Sequence, residues 1–522
     1  MAITVQSLQV RGLHAFPVEV EVDILQGMSH FSIVGLGDTA VQEAKERVRS
    51  AIKNSGFDYP RQKKIINLAP ADLSKQGPHF DVPIAIGLLA ASKQIVPNRL
   101  RDSVFVGELA LNGNIRPITG ALTMAIHAKK NGVKRIFVPR ENVEEVALIH
   151  GLEIVGLSTL AELVHSIKTG EIPLKPRITR EKSQQVEAMT FDDIQGNALA
   201  KRALEIAAAG GHHVLLTGPP GVGKTILAKA TASILPPLSS SEKIEVIQIH
   251  STAGNLPSAT SASAQPPIPA SSATSASAQP DLSSIQRPFR RIHPGCTKTA
   301  LLGGGPLLKP GEISLAHRGV LFMDELPEFP RDHLECLRQP LEEKQIHLSR
   351  ARGTITYPCQ FILMASMNPC PCGHANSTHK TCTCKPYRII QYQKKLSGPL
   401  LDRIDIIIEV ERQSTITFEQ SQKPQLHSIR KRIKQARTLQ TARFQKTTIT
   451  TNSEMNVRHI KTFCPLDTKS KTFLQTASEK LGLSGRQYYQ TIRLAQTIAD
   501  LQYAPRIQKS HLAEALQYRK VD

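Results

Sequence analysis

Tryptophan is absent from this 522-residue chain, and aromatic residues make up only 4% of it. Broad base-stacking surfaces need aromatic side chains, so we do not expect nucleic acid to be bound in that way. The chain also lacks an uninterrupted apolar run of about 18 residues, which excludes a membrane-spanning helix. Its first residues do not have the basic and then apolar layout of a secretory signal peptide, and we therefore expect a cytoplasmic protein.

Acidic residues are few relative to basic ones. The chain has 65 Lys and Arg against 44 Asp and Glu, which gives a formal net charge of +21. Such a balance favours a polyanionic partner, either nucleic acid contacted along its backbone or another anionic surface. Charge alone discriminates weakly, because basic chains also occur without such a partner.

A glycine-rich segment at residues 218–225 matches the phosphate-loop pattern G-x-x-x-x-G-K-[ST]. It follows a short apolar run that predicts a buried strand and precedes a helical pattern. Backbone N–H groups of such a loop cradle phosphate oxygens at the start of a helix. The residues predicted to hold the nucleotide are Gly218, Pro219, Pro220, Gly221, Val222, Gly223, Lys224 and Thr225. We expect Lys224 to reach the β- and γ-phosphates and Thr225 to give Mg²⁺ a hydroxyl ligand.

Two carboxylates follow a second apolar strand that ends at Met323. Beside the phosphate loop, Asp324 would hold Mg²⁺, and Glu325 would polarise the water that attacks the γ-phosphate. A third apolar segment ends at Asn368, whose amide could detect the γ-phosphate or orient that water. Together with the phosphate loop, these residues predict ATP hydrolysis.

Arg403 follows a glycine-proline turn near the end of the same domain. A guanidinium at a domain edge can stabilise transition-state charge at a neighbouring subunit's site. The alternative is a local salt bridge with Asp402 or Asp405.

Composition divides the chain into four parts. Residues 1–170 alternate strand and helix patterns, residues 171–189 form a polar linker, residues 190–412 contain the nucleotide motifs, and residues 413–522 are basic and helical. Within the third part, residues 251–285 contain a duplicated Ser/Ala/Thr/Gln/Pro segment. We interpret this insert as a disordered surface loop, with a ligand-engaging flap as the alternative.

Four cysteines lie close together in residues 370–384, as Cys370, Cys372, Cys382 and Cys384. In a cytoplasmic protein such residues are thiols or metal ligands rather than disulfides. Four soft ligands on one short loop are typical of a structural Zn²⁺ site, although Cys-x-Cys is a less usual spacing than Cys-x₂-Cys. Free thiols in a polar loop are the alternative.

A hairpin pattern around Gly353 carries Arg350 and Arg352. The two arginines could track a DNA backbone. They could equally be two solvated side chains of an exposed turn.

Taken together, these motifs resemble an AAA+ ATPase, an α/β P-loop NTPase core with a C-terminal helical lid. Longer phrases are similar to the magnesium-chelatase-like branch, and within it to the ComM/YifB family. They are residues 311–317, 324–329, 367–373 and 398–405, with residues 67–72 and 88–92 of the N-terminal domain. The resemblance therefore covers nearly the whole chain.

The family resemblance implies a homo-hexameric ring ATPase that uses ATP and Mg²⁺. It further implies that the ring promotes branch migration of DNA during homologous integration in natural transformation, with single-stranded or branched DNA as its partner. By the same analogy, Arg403 is the finger that acts on a neighbouring subunit. Arg486 is the lid arginine called sensor 2, which contacts the nucleotide, and Arg493 is the second choice for that role.

The N-terminal domain of this family resembles the α/β proteolytic domain of Lon proteases, which uses a Ser–Lys pair. The corresponding positions here are His79 and Leu122. Because both catalytic groups are missing, we expect a non-catalytic scaffold or DNA guide.

The leading interpretation is therefore a DNA motor. The alternative is a magnesium-chelatase-type or protein-remodelling subunit that acts on a protein partner. A third possibility is a binding module in which the Lon-like domain is the active part and ATP controls assembly.

Overall fold

The structure is a computed structural model that describes residues 2–171, 189–255, 285–305, 307–350, 353–375, 380–412 and 425–519. Most of the predicted linker and of the low-complexity insert lies outside these residues, so both remain predictions. No helix in the described ranges is long and apolar enough to cross a membrane.

A mixed sheet forms the centre of the N-terminal domain. The strands are β1 Ile3–Arg11, β2 His14–Leu25, β3 Phe31–Val34, β4 Lys63–Ala69, β5 Ser103–Phe105, β6 Glu108–Leu109, β7 Ile115–Arg116, β8 Arg135–Pro139 and β9 Glu153–Leu157. The helices are α1 Thr39–Asn54, α2 Asp81–Ala91, α3 Ala121–Lys130, α4 Val143–Val146 and α5 Leu160–Thr169. Seven strands pair in the order β3-β4-β2-β1-β5-β8-β9. Apolar and polar residues alternate along the middle of β2, where Val18, Val20 and Val22 are fully buried.

The second domain is built on a five-stranded sheet. The strands of this domain, five of which form that sheet, are β10 Val214–Thr217, β11 Phe289–Ile292, β12 Gly303–Gly304, β13 Lys309–Pro310, β14 Val320–Met323, β15 Gln345–Arg350, β16 Gly353–Pro358, β17 Ile362–Met367 and β18 Ile406–Glu409. Its helices are α6 Ala198–Gly210, α7 Lys224–Ile234, α8 Ser240–Ala253, α9 Lys298–Leu302, α10 Glu312–Leu315, α11 Arg331–Cys336, α12 Arg338–Glu343, α13 Pro386–Gln393 and α14 Gly398–Leu401. The sheet order is β11-β14-β17-β10-β18, and every neighbouring pair is parallel.

Both faces of this parallel sheet are covered, as its continuous apolar strands require. Val214 and Leu216 point into a core shared with α6 and α7. Leu215, between them, points into a second core on the opposite face with Leu321 and Leu363. Because successive side chains point to opposite faces, β10 contributes residues to both cores.

After the sheet domain, the described range 425–519 contains five helices. They are α15 Leu426–Arg443, α16 Val457–Phe463, α17 Thr468–Leu481, α18 Gly485–Leu501 and α19 Lys509–Gln517. Their apolar residues belong to the same core as α6, which joins the helical part firmly to the sheet domain.

Part of the basic run on α15 serves this packing rather than facing solvent. Arg432 pairs with Glu205 of α6 at 2.6 Å, and Arg443 makes two hydrogen bonds to the buried Asp500 carboxylate. Arg437 donates to the Ala208 carbonyl at 2.8 Å. These arginines are therefore engaged within the chain.

The N-terminal domain packs onto the sheet domain through α8. Val246 and Ile247 of α8 lie in one apolar cluster with Leu122 and Ala125 of α3. Gln248 also donates to the Leu13 carbonyl at 2.9 Å. A shared core, rather than a tether alone, therefore joins the two domains.

Candidate nucleotide site and its surroundings

Strand order brings the predicted ATP-site residues together. Strands β14, β17 and β10 are parallel neighbours, so their carboxyl ends meet at one edge of the sheet. The phosphate loop follows β10, Asp324 follows β14 and Asn368 follows β17. Three segments that are distant in sequence thus meet at one place, where open parallel sheets commonly bind ligands.

The phosphate loop needs glycine at specific positions. Gly223, immediately before α7, has φ of 90°, a left-handed conformation that favours glycine. At Gly218, an added Cβ would come within 2.4 Å of the Val410 carbonyl oxygen beyond β18. The loop conformation therefore depends on residues without side chains.

Lys224 is the first residue of α7, and its side chain reaches back to the start of the phosphate loop. Its Nζ donates to the carbonyls of Gly218 at 2.7 Å and Pro219 at 2.8 Å, and to Asn368 Oδ1 at 3.1 Å. Burial lowers the pKa of Lys224, while the charges of Asp324 and Glu325 oppose that shift. One ammonium group thus links the phosphate loop to the end of β17.

The two predicted Mg²⁺ ligands are adjacent. Thr225 Oγ1 donates to Asp324 Oδ2 at 3.0 Å. A hydroxyl and a carboxylate oxygen at this distance are hard donors of the kind that Mg²⁺ prefers. Thr225 and Asp324 therefore fit the ion that the phosphate-loop pattern implies.

Two further residues hold Asp324, and neither was predicted from the sequence. Ser366 of β17 donates to Asp324 Oδ1, and Arg291 of β11 donates to Oδ2 at 2.8 Å. Ser366 is a polar residue inside the apolar strand β17. Arg291 lies in β11, a four-residue strand whose two central residues are both arginine. A charged residue between the buried Phe289 and Ile292 could have been noticed.

Glu325 is exposed and has an unusual backbone. Its φ is 54°, in the left-handed region that non-glycine residues seldom adopt. Its N–H donates to Ser366 Oγ at 3.2 Å, which helps to hold this conformation. Such strain is often found where a side chain must be aimed at a ligand.

Arg403 and Arg486 lie elsewhere. Arg403 follows α14 and pairs with Glu342 at the end of α12, and Arg486 of α18 approaches the same carboxylate at 3.7 Å. The Arg403 guanidinium lowers the pKa of Glu342. No described contact links either arginine to the phosphate loop of the same chain, and Arg403 pairs with neither Asp402 nor Asp405.

This second location is the amino edge of the sheet. Asp405 and Ile406, at the start of β18, both donate to the carbonyl of His213, which precedes β10. A four-residue strand such as β10 spans about 13 Å. Roughly that distance therefore separates the amino edge of the sheet, where Arg403 lies, from the carboxyl edge, where Lys224 lies. A crevice at the amino edge is lined by Arg403, Arg486 and Arg493. Arg493 donates to the carbonyl of Ser453 at 2.7 Å.

The predicted hairpin is formed by β15 and β16, paired from Gln345–Pro358 to Arg350–Gly353. Arg350 is exposed at its tip, and Arg352 lies outside the described residues. Arg11 of the N-terminal domain approaches so closely that a Cβ on Gly353 would lie 2.3 Å from its guanidinium. The N-terminal domain therefore adds a cation beside the hairpin.

The four clustered cysteines form a compact group. Their Sγ atoms all lie within 4.8 Å of one another. The Cys370–Cys372, Cys372–Cys382 and Cys370–Cys382 sulfur distances are 3.3, 3.6 and 3.7 Å. Sulfurs on a tetrahedral Zn²⁺ with bonds of about 2.3 Å are about 3.8 Å apart, so this donor set fits zinc closely.

The Lon-like positions are closed to solvent. His79 is 7% exposed and Leu122 is fully buried. Burial lowers the pKa of His79 to about 4, so its imidazole is neutral near pH 7. Both positions are therefore enclosed in the N-terminal domain, and neither residue type is a serine or a lysine.

Family models match along most of the chain. The model described as Magnesium chelatase, subunit ChlI, matches residues 190–279 and 268–418. Subunit ChlI of Mg-chelatase matches residues 20–142, and the ChlI C-terminal model matches residues 424–519.

Full-length relatives refine this assignment. The uncharacterized protein YifB of Escherichia coli (strain K12) is 41% identical over 513 residues, covering 98% of this chain and 96% of its own. The competence protein ComM of Haemophilus influenzae is 39% identical over 514 residues, covering 97% and 95%. The chain belongs to the ComM/YifB family. This confirms the predicted resemblance and makes the chain a magnesium-chelatase-like AAA+ protein.

A partial similarity extends beyond the ComM/YifB family. Lon protease 2 of Bacillus subtilis is 26% identical over 165 residues, 29% of each chain. This agrees with a Lon-like part in the ComM/YifB architecture and leaves the protease's remaining length unmatched.

Proposed function

We propose that the chain is an ATP-hydrolysing motor that acts on DNA as a homo-hexamer in the cytoplasm. The observation that carries the proposal is the separation of its two functional edges. Lys224 lies at the carboxyl edge of the parallel sheet, and Arg403 lies at the amino edge. One chain cannot bring them together, whereas a ring can place Arg403 of one subunit at the phosphate loop of the next.

Each residue has a defined part in this proposal. Lys224 and the loop N–H groups would bind the phosphates, and Thr225 and Asp324 would hold Mg²⁺, which neutralises phosphate charge when bound. Glu325 would take a proton from the attacking water, and Asn368 would orient it or detect the γ-phosphate. Arg403, with Arg486 beside it, would stabilise transition-state charge on the neighbour's nucleotide.

DNA is the proposed polymer for two reasons. The chain has a net charge of +21, and Arg350 is exposed at the end of a hairpin. A competence protein is among the relatives, which supports the proposal that the motor promotes branch migration during homologous integration in natural transformation. Its partner would be single-stranded or branched DNA. The second candidate is a magnesium-chelatase-type subunit acting on a protein, because the matching family models are those of subunit ChlI.

ATPase rates measured with and without branched or single-stranded DNA, at two salt concentrations, test the proposal. We expect DNA to stimulate turnover and its binding to weaken steeply with salt. An R350A/R352A variant should lose that stimulation and keep the basal rate, while R99A on the N-terminal domain serves as the control. ATP hydrolysis that DNA leaves unchanged at both salt concentrations would favour the protein-remodelling candidate.

We further propose that Cys370, Cys372, Cys382 and Cys384 hold one Zn²⁺. The sulfur distances support this assignment, and Zn²⁺ would act structurally, since all four ligands come from the protein. Elemental analysis of the purified chain should find about one zinc per chain, and the C370S/C384S variant should have none. Equal zinc in both proteins, or none in the wild type, would exclude the site.

A further inference from the structure

The cysteine group rests directly on the phosphate loop. Gly373 has φ of 82°, and a Cβ added there would lie 2.5 Å from Pro220 Cδ and 3.2 Å from its Cγ. Pro220 is the third residue of the phosphate loop, and Gly373 directly follows Cys372. The Gly373 backbone therefore packs against the loop with no room for a side chain between them.

Both ends of the cysteine segment are fixed at the nucleotide site. Cys370 comes two residues after Asn368, whose Oδ1 accepts from Lys224 at 3.1 Å. Beyond the last cysteine, Gln393 at the end of α13 donates to the Pro369 carbonyl at 3.3 Å. A contraction or expansion of the cysteine group would therefore displace both Asn368 and Pro220.

A metal ion would fix the conformation of this segment. Gly373 N donates to the Cys370 carbonyl at 2.9 Å, which closes a tight turn across the first two cysteines. One turn bond and a few thiol contacts hold the turn weakly, whereas a tetrahedral metal joins it to Cys382 and Cys384 with four strong bonds. Metal occupancy would thus decide how firmly Gly373 presses on Pro220.

We propose that the four-cysteine group is a metal-dependent clamp on the phosphate loop, which sets the ATP affinity of the site through the Gly373–Pro220 contact. The inference rests on the proposed ATP and zinc sites. It adds that loss of the metal weakens nucleotide binding although no cysteine touches the nucleotide.

A double-mutant cycle tests the contact separately from the metal. G373A should retain about one zinc per chain but weaken binding of a fluorescent ATP analogue about tenfold, because the new methyl displaces Pro220. In a P220A background, where the colliding ring atoms are gone, the same change should cost less than about twofold. G482A is the matched control, since Gly482 also has positive φ, 60°, and has no neighbour within 4 Å.

The metal is tested on wild-type protein. Removing zinc with a chelator should weaken analogue binding about tenfold with unchanged far-ultraviolet circular dichroism, and added Zn²⁺ should restore it. Equal analogue affinity with and without metal, or a G373A effect that persists in P220A, would overturn the clamp. Absence of zinc from wild type would instead refute the metal site, and absence of analogue binding would refute the ATP site, so the three failures are distinguishable.

Discussion

Thr225 Oγ1 lies 3.0 Å from Asp324 Oδ2, although the two residues are 99 positions apart in the chain. The parallel pairing of β10 with β17 and of β17 with β14 produces this approach, since each residue follows its strand at the same edge. The pair was expected from the two motifs alone. What was not expected is that Arg291 contacts the same oxygen of Asp324 at 2.8 Å.

Arg291 should compete with Mg²⁺ for Asp324. A guanidinium on the carboxylate opposes a second cation there, by about 1 kcal/mol after solvent screening at this partly exposed position. We expect Arg291→Gln to lower the Mg²⁺ concentration for half-maximal ATP hydrolysis about fivefold. Arg290→Gln is the control, because Arg290 pairs with Glu312 instead. An unchanged Mg²⁺ requirement in R291Q would contradict this competition. A higher requirement would show that Arg291 supports Mg²⁺ binding.

Glu325→Gln should separate binding from hydrolysis. The amide keeps the shape of the side chain but cannot take a proton from water, so turnover should fall by about 100-fold or more while ATP binding persists. Analogue binding and phosphate release measure the two quantities. Glu328→Gln, three residues on and paired with Lys395 at the surface, should leave both near wild type. Normal hydrolysis by E325Q would assign the base to another residue.

The sequence predicted what is local, and it missed what depends on strand order. The strand predicted to end at Met323, the apolar segment predicted to end at Asn368 and the hairpin around Gly353 agree with the structure within a residue or two, because each depends on a local apolar or turn pattern. The partners of Asp324 were missed, since Ser366 and Arg291 reach it only through the order β11-β14-β17-β10. A polar side chain between buried apolar residues marks each position locally, but only the strand order shows that both side chains reach Asp324.

The same limit of prediction from sequence applies to Arg403. Its position after a glycine-proline turn at the domain edge was predicted, but its partner Glu342 is 61 residues away and was not. The contact between Gly373 and Pro220 was also beyond the sequence, because it depends on how two loops pack at one sheet edge. Spacing identified the groups, and tertiary packing decides which of them meet.

An intersubunit ATP site predicts complementation between two inactive variants. Lys224→Ala removes phosphate binding in its own chain, and Arg403→Ala removes the cation offered to the neighbour. Each variant alone should have little ATPase activity. In a mixture, sites formed by an R403A loop and a K224A neighbour are complete, so about a quarter of the wild-type rate should return at equal ratio. An inactive mixture, with assembly verified by light scattering, would contradict an Arg403 role in trans.

Before the ring assembles, Glu342 should restrain Arg403 and Arg486, the two arginines that it contacts at the amino edge of the sheet. It pairs with Arg403 and lies 3.7 Å from Arg486, so a neighbour's triphosphate must compete with it. Glu342→Gln should therefore lower the protein concentration at which ATPase activity per chain reaches half its maximum, by roughly threefold. Glu343→Gln, the adjacent carboxylate, is the control. A higher concentration requirement in E342Q would show that Glu342 orients the arginines for their task.

Acid should weaken the N-terminal domain through His79. Burial lowers the pKa of His79 to about 4, whereas an unfolded histidine titrates near 6.5. Between those values the unfolded state binds the extra proton, so the His79 contribution is complete above about pH 6.5 and is lost as the pH falls towards 4.

The slope from this one group is about 1.4 kcal/mol per pH unit. Asp81 acts in the opposite direction, because burial raises its pKa to about 6 and its contribution therefore grows as the pH falls below that value. The wild-type slope of stability against pH is thus a sum, and a variant is needed to isolate the His79 part.

His79→Gln removes a proton site that only the unfolded state fills in this range. We expect its free energy of unfolding in urea to fall less than that of wild type between about pH 6 and pH 5, by about 1 kcal/mol. The exposed His165→Gln should match wild type at both pH values, and a parallel shift of H79Q at both would contradict the neutral buried imidazole.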